Sequence, residues 1–134
     1  MGIGSLLLDG IGDTLRVSLT DDPVEEVYAA KDILKAAGLR KDGVDIISCP
    51  TCGRTQVNLI KTYNIVKEKL NYVNKPIKVA IMGCPVNGPG EAKDADLGLA
   101  GGKNAFTFFK KGKPVKTLKE DEAIKLLFEE IDKF

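Results

Sequence analysis

Two apolar segments each end at a cysteine: VDIIS, residues 44–48, leads to Cys49, and IKVAIMG, residues 77–83, leads to Cys84. Enough chain lies between them for one long helix. A strand, a crossover helix and a second strand in one sheet run parallel, because the return passes over a face of the sheet. Both strands then finish at the same sheet edge, where open α/β sheets gather their ligands. The pattern commits the chain to an α/β fold in which Cys49, Cys52 and Cys84 can converge on one point.

The crossover helix is expected over residues 55–73, with Leu59, Tyr63, Val66 and Leu70 on one stripe. After Cys84 come a loop and three short β-type runs, ADLGLAGG, NAFTFFKKG and KPVKTL, with Gly112 as the hairpin turn between the last two. The chain closes on TLKEDEAIKLLFEEIDKF, a helix opened by a capping box of Thr117 with Glu120. Its stripe is Ile124, Leu127, Phe128 and Ile131. From residue 44 onward the order predicts a small α/β sandwich, a mixed sheet with helices on one face.

Upstream lies a separate strand-and-helix unit. TLRVSLT, residues 14–20, is rich in β-branched residues and reads as a strand. DDPVEEVYAAKDILKAAG reads as a helix, with Asp22 as N-cap, Pro23 in the first position, Glu25 completing a capping box and Gly38 as the stop. Val24, Val27, Tyr28, Leu34 and Ala37 form its apolar face. LRKDG, residues 39–43, is a charged linker and the expected boundary between residues 1–38 and residues 44–134. Met1 runs straight into Gly-Ile-Gly and an apolar stretch with no cap or strand before it. The chain is therefore expected to be a fragment of something longer.

Charge narrows the function classes. Twenty lysines and arginines against nineteen aspartates and glutamates give no electrostatic case for nucleic acid or membrane as partners. The longest apolar runs are strand-sized, and the N-terminus has no basic flank before an apolar core, so a cytoplasmic location is expected. Three cysteines, an odd number, point away from a disulfide framework and towards metal or catalysis.

Three thiolates need a fourth ligand or an open position. Structural zinc is usually held by cysteine and histidine, and this chain has no histidine. A zinc site of three cysteines and a carboxylate is possible but uncommon. A thioredoxin-like Cys-x-x-Cys leaves Cys84 unexplained. Free cysteines are often only buried small residues, yet three of them in Gly/Pro loops at strand ends argue against that reading. An iron–sulfur cluster fits best: thiolates are its normal ligands, and a proline directly after a cluster cysteine, as in Cys84-Pro85, recurs in ferredoxins. Gly83, Gly88 and Gly90 would let backbone N–H groups approach the sulfides. Three thiolates on a cubane leave one iron for an oxygen ligand, and Glu91 is the candidate. Read alone, Glu91 is more simply a solvated turn residue.

The stretches ISCPTCGRTQVNL, VAIMGCPVNGPGEAKDADLGLAGG and LLLDGIGDTLRVSLTDDPVEE resemble the C-terminal part of the 4-hydroxy-3-methylbut-2-enyl diphosphate synthase family, iron–sulfur enzymes of the non-mevalonate isoprenoid pathway. The resemblance covers essentially the whole chain. It implies an oxidoreductase whose [4Fe–4S] cluster is held by Cys49, Cys52, Cys84 and Glu91, within a sulfite/nitrite-reductase-like cluster domain. Residues 1–38 would be the last β/α unit of a TIM-type barrel. The resemblance further implies a two-electron reductive opening of 2-C-methyl-D-erythritol 2,4-cyclodiphosphate, with electrons from flavodoxin or ferredoxin. The partner would be the barrel domain of the other subunit of a homodimer, so the chain alone is expected to be inactive. Asn87 would hydrogen-bond the substrate or stabilise its turn. Arg54 would pair with phosphate or a carboxylate, though one arginine at a helix start reads more simply as structural. The alternative is a non-catalytic module that binds zinc or a cluster for stability.

Overall fold

The computed structural model describes residues 1–86 and 92–134. They form two compact units, Met1–Asp42 and Gly43–Phe134.

The first unit holds helices α1 (Gly2–Leu8) and α2 (Pro23–Ala36) and no strand. Residues 14–20, expected as a strand, carry no ladder. A β-type run becomes a strand only against a partner edge, and residues 1–42 offer none. Asp22 caps α2 as expected, its Oδ1 accepting the Val24 N–H at 2.9 Å. The expected capping box does not close through Glu25: the Asp22 N–H is taken by Asp21 Oδ1 at 2.8 Å. Gly38, at φ +71°, ends the helix. The Gly38 N–H bonds the Lys35 carbonyl and the Leu39 N–H the Leu34 carbonyl, each at 2.9 Å. This double closure requires a left-handed residue, which glycine adopts without a Cβ clash. Val24, Val27 and Tyr28, on the expected apolar face, are about half exposed.

The second unit contains β1 (Asp45–Ser48), α3 (Leu59–Leu70), β2 (Lys78–Met82), β3 (Leu97–Gly102), β4 (Ala105–Lys110), β5 (Lys113–Leu118) and α4 (Glu120–Asp132). The strands lie in sequence order across one mixed sheet. β1, β2 and β3 are parallel, and β4 and β5 continue antiparallel. The β4–β5 turn places Lys111 and Gly112 at φ +46° and +72°, a hairpin conformation that matches the twist of the strands. Lys113, Pro114 and Lys116 on the edge strand β5 discourage pairing with another sheet.

Alternation along the strands sorts the side chains to two faces. Val79, Ile81, Leu97, Leu99, Phe106 and Phe108 join Leu59, Val66 and Leu70 of α3 and Ala123, Ile124, Leu127 and Ile131 of α4 in the main core. Both helices thus cover one face, as the apolar stripes predict. Ala80, Met82, Ala100 and Phe109 point to the other face, where they meet Ala92 and Ala95. Gly98, paired with Phe109 across β3–β4, makes room for that ring: a Cβ on Gly98 would lie 2.2 Å from Phe109 Cζ and 2.8 Å from the Ala80 carbonyl oxygen. The ring can turn but the carbonyl cannot. Gly98→Ala is expected to cost about 1–3 kcal/mol, read as a lowered urea midpoint with an unchanged slope.

Two helix starts differ from expectation. α3 begins at Leu59, because Asn58 caps it, its Oδ1 accepting the Lys61 N–H at 3.2 Å. Residues 55–58 stay in a loop. α4 begins at Glu120 with no side-chain cap. The expected capping box fails because β5 runs on through Leu118, so Thr117 lies in a strand with its hydroxyl 3.1 Å from that of Thr107. Glu120 instead accepts from the buried Thr62 hydroxyl of α3 at 2.9 Å, joining the two helices. Lys75 Nζ closes the far end of α4 by donating to the Ile131 and Asp132 carbonyls, at 2.8 and 2.9 Å.

Candidate metal centre

The parallel register sets Ser48 beside Ile81 and Met82 beside Ala100. The C-terminal ends of β1, β2 and β3 therefore share one edge, which receives Cys49, Cys84 and the Gly101–Gly102 pair. Cys84 is buried, Cys49 half-buried and Cys52 exposed, and all three are free thiols. Cys49 and Cys84 are tied through backbone: the Gly83 N–H donates to Cys49 Sγ at 3.2 Å.

The Cys-x-x-Cys loop folds back over the same edge. The Thr55 N–H donates to the Cys52 carbonyl at 3.0 Å, and the Gln56 N–H to the Gly83 carbonyl at 2.9 Å. The crossing is close. A Cβ on Gly101 would lie 2.5 Å from Val57 Cγ2 and 2.8 Å from the Gly83 oxygen, and one on Gly83 would lie 3.0 Å from both Cγ2 and Oγ1 of Thr55. Side-chain-free backbone at both positions lets the loop settle onto the strand ends.

The Cys52 thiol is held below its ordinary pKa, first by the backbone N–H of Arg54 and then by the Arg54 side chain. Partial desolvation opposes them, and the Thr55 hydroxyl and the Arg54 charge add smaller contributions in the lowering direction. Thr55 Oγ1 itself is buried and meets no hydrogen-bond partner among the described residues. Beside Cys49 the surface opens into a depression of about 390 Å³ lined by Ile46, Ser48, Thr51, Leu59, Ile60 and Tyr63.

The two cysteine-bearing loops are thus brought to one edge, but among the described residues no group of three or more cysteines, aspartates or glutamates is closed around a metal-sized point. Asn87, Gly88, Gly90 and Glu91 lie outside the described residues. Sequence reasoning did not single out Thr55, which it assigned to the start of a helix, or Gly101. The signal for Gly101 was a glycine pair ending a β-run beside two cysteine-bearing strands.

Residues 45–133 match the family model described as the GcpE protein C-terminal domain, and residues 1–31 match the GcpE TIM-barrel domain. The chain belongs to the GcpE family. It is 61% identical over 133 residues to a Thermodesulfovibrio yellowstonii protein named 4-hydroxy-3-methylbut-2-en-1-yl diphosphate synthase (flavodoxin), a match covering 99% of this chain and 38% of the relative. Proteins of the same name from Clostridium tetani and Persephonella marina are 60% and 58% identical over 98% of this chain and 38% of their own length. The chain therefore spans under two fifths of the length of the GcpE relatives it matches. Among the described residues, no helix is long and apolar enough to cross a membrane.

Proposed function

We propose that this chain is the cluster-binding C-terminal part of a 4-hydroxy-3-methylbut-2-enyl diphosphate synthase, acting in the cytoplasm. The proposed reaction adds two electrons and two protons to the cyclodiphosphate, opens its ring and releases one water, leaving the allylic diphosphate. What supports this reading is the sheet edge that receives Cys49 and Cys84, with the Cys-x-x-Cys loop held to it by the Gln56–Gly83 bond, in a domain whose relatives bear the synthase name.

The residues suit an iron–sulfur cluster. The donors are soft thiols with no imidazole among them. Beside them a buried hydroxyl, that of Thr55, has no partner among the described residues, and Gly83 already directs an N–H at one sulfur. When bound, a [4Fe–4S] cluster supplies single electrons and an iron with an exchangeable ligand position. Cys49, Cys52 and Cys84 would anchor it and Glu91 would be its fourth ligand. The lowered pKa of Cys52 offers a thiolate at neutral pH more readily than an ordinary cysteine does. Asn87, within four residues of Glu91, would hydrogen-bond the substrate. Residues 44–134 would form the cluster domain, residues 39–43 the linker, and residues 1–38 the end of the barrel. The barrel of a homodimer partner would hold the diphosphate, and flavodoxin, which the relatives' names contain, would deliver the electrons.

The test joins this chain to the barrel half of a relative. The loaded fusion should turn over the cyclodiphosphate with reduced flavodoxin. Glu91→Ala in that fusion should lower turnover at least tenfold while shifting thermal unfolding little. A fully loaded fusion without turnover, or an E91A fusion as active as its parent, counts against the assignment.

A further inference from the structure

Among the described residues, the Thr55 hydroxyl is a buried polar group with no hydrogen-bond partner. Leaving such a group unpaired carries a desolvation cost of about 1–3 kcal/mol, so native structures usually provide a partner, a water or a ligand. Its surroundings are specific. It follows Cys52 by three residues, and its N–H already bonds the Cys52 carbonyl. Its side chain packs against Gly83, whose own N–H serves Cys49 Sγ and whose neighbour is Cys84. Thr55 thus stands between the backbones that carry all three thiols. The Gln56 bond to the Gly83 carbonyl keeps it there, as does the close fit of Val57 on Gly101.

Resting on the cluster reading above, we infer that Thr55 is a positioning residue for the cluster: once three thiolates hold it, the Thr55 hydroxyl donates to the Cys52 sulfur and raises the reduction potential. Reduction adds negative charge to the cluster and its thiolates, so a donor aimed at a sulfur stabilises the reduced form more than the oxidised one. Hydrogen bonds to the sulfurs are among the factors that set such potentials. The Thr55 N–H already ties the exposed Cys52 loop through the Cys52 carbonyl at 3.0 Å, so a small adjustment of that loop on ligation would bring the sulfur to the hydroxyl.

The experiment loads the wild-type chain and its T55V, T55A and T55S variants anaerobically with ferrous iron and sulfide. The paramagnetic signal of the reduced cluster is then followed through a potentiometric titration. T55V and T55A should hold about tenfold less reduced cluster relative to oxidised at a fixed potential, equivalent to ~59 mV for a one-electron couple. T55S, which keeps the hydroxyl, should titrate with the wild type. Midpoints of T55V and T55A equal to the wild-type value overturn the inference. So does a T55S midpoint that moves with T55V, because the methyl group and not the hydroxyl would then matter. A wild-type chain that takes up no cluster overturns the parent reading, and this inference falls with it.

Discussion

Serine in place of any one of Cys49, Cys52 or Cys84 should reduce stable cluster content at least tenfold after anaerobic reconstitution, measured as bound iron and acid-labile sulfide. A serine hydroxyl is far less acidic than a thiol and a harder donor, so one substitution leaves two good anchors where the proposed site needs three. The three positions separate ligation from folding. Cys52 is exposed, and surface substitutions usually change stability by no more than about 0.5 kcal/mol. C52S should therefore unfold like the wild-type apoprotein while losing its iron. Cys84 is 2% exposed, and a serine hydroxyl there needs a partner or costs about 1–3 kcal/mol, so C84S should lose both iron and some stability. Undiminished cluster in any one variant removes that cysteine from the site.

No cyclodiphosphate turnover is expected from this chain by itself, even loaded with cluster and given a strong reductant. The reaction needs the diphosphate held against the reacting centre, and a misplacement of ~1 Å can cost on the order of a hundredfold. The relatives extend well beyond the 38% of their length that this chain matches, and the barrel is where the diphosphate would be held. Rates at the no-protein background in a sensitive product assay are the expected outcome. Turnover that scales with the concentration of this chain alone would show that the proposed division of labour is wrong.

The sheet was legible because each of its strands carries its own signal. IKVAIMG is apolar almost throughout, as a strand buried on both faces must be, and β2 is exposed only at Lys78. The β4–β5 hairpin is announced by Gly112, and the helix stripes of α3 and α4 fix which side they cover. Polar residues are where the pattern misleads. Thr62 is buried through its contact with Glu120, a long-range bond with no local signature, while Tyr63, expected on the stripe, is only half-buried. Both expected capping boxes fail for a shared reason. An acid three residues after a capping type is a local pattern, and local partners compete: Asp21 reaches the Asp22 N–H first, and Thr117 is held by β5. Residues 14–20 have the composition of a strand but no neighbouring edge within their unit, and composition does not reveal a partner.

For the candidate site, the shared edge followed from topology alone, since parallel β1 and β2 cannot end on opposite sides. The placement of Thr55 did not. It depends on the Gln56–Gly83 bond and on missing side chains at Gly83 and Gly101, all contacts between residues far apart in sequence. The role of Glu91 comes from resemblance, because a glutamate after Pro-Gly has no local feature that separates a ligand from a turn residue.

The central claim is that three cysteines and a carboxylate of this chain hold a [4Fe–4S] cluster, and anaerobic reconstitution of the wild-type chain with quantification of bound metal and sulfide tests it most directly. Iron and acid-labile sulfide in equal amounts, at the level of one cluster per chain, are predicted, with broad blue-region absorbance and a paramagnetic signal on reduction. Colourless protein holding one zinc per chain, with no sulfide, would contradict the account.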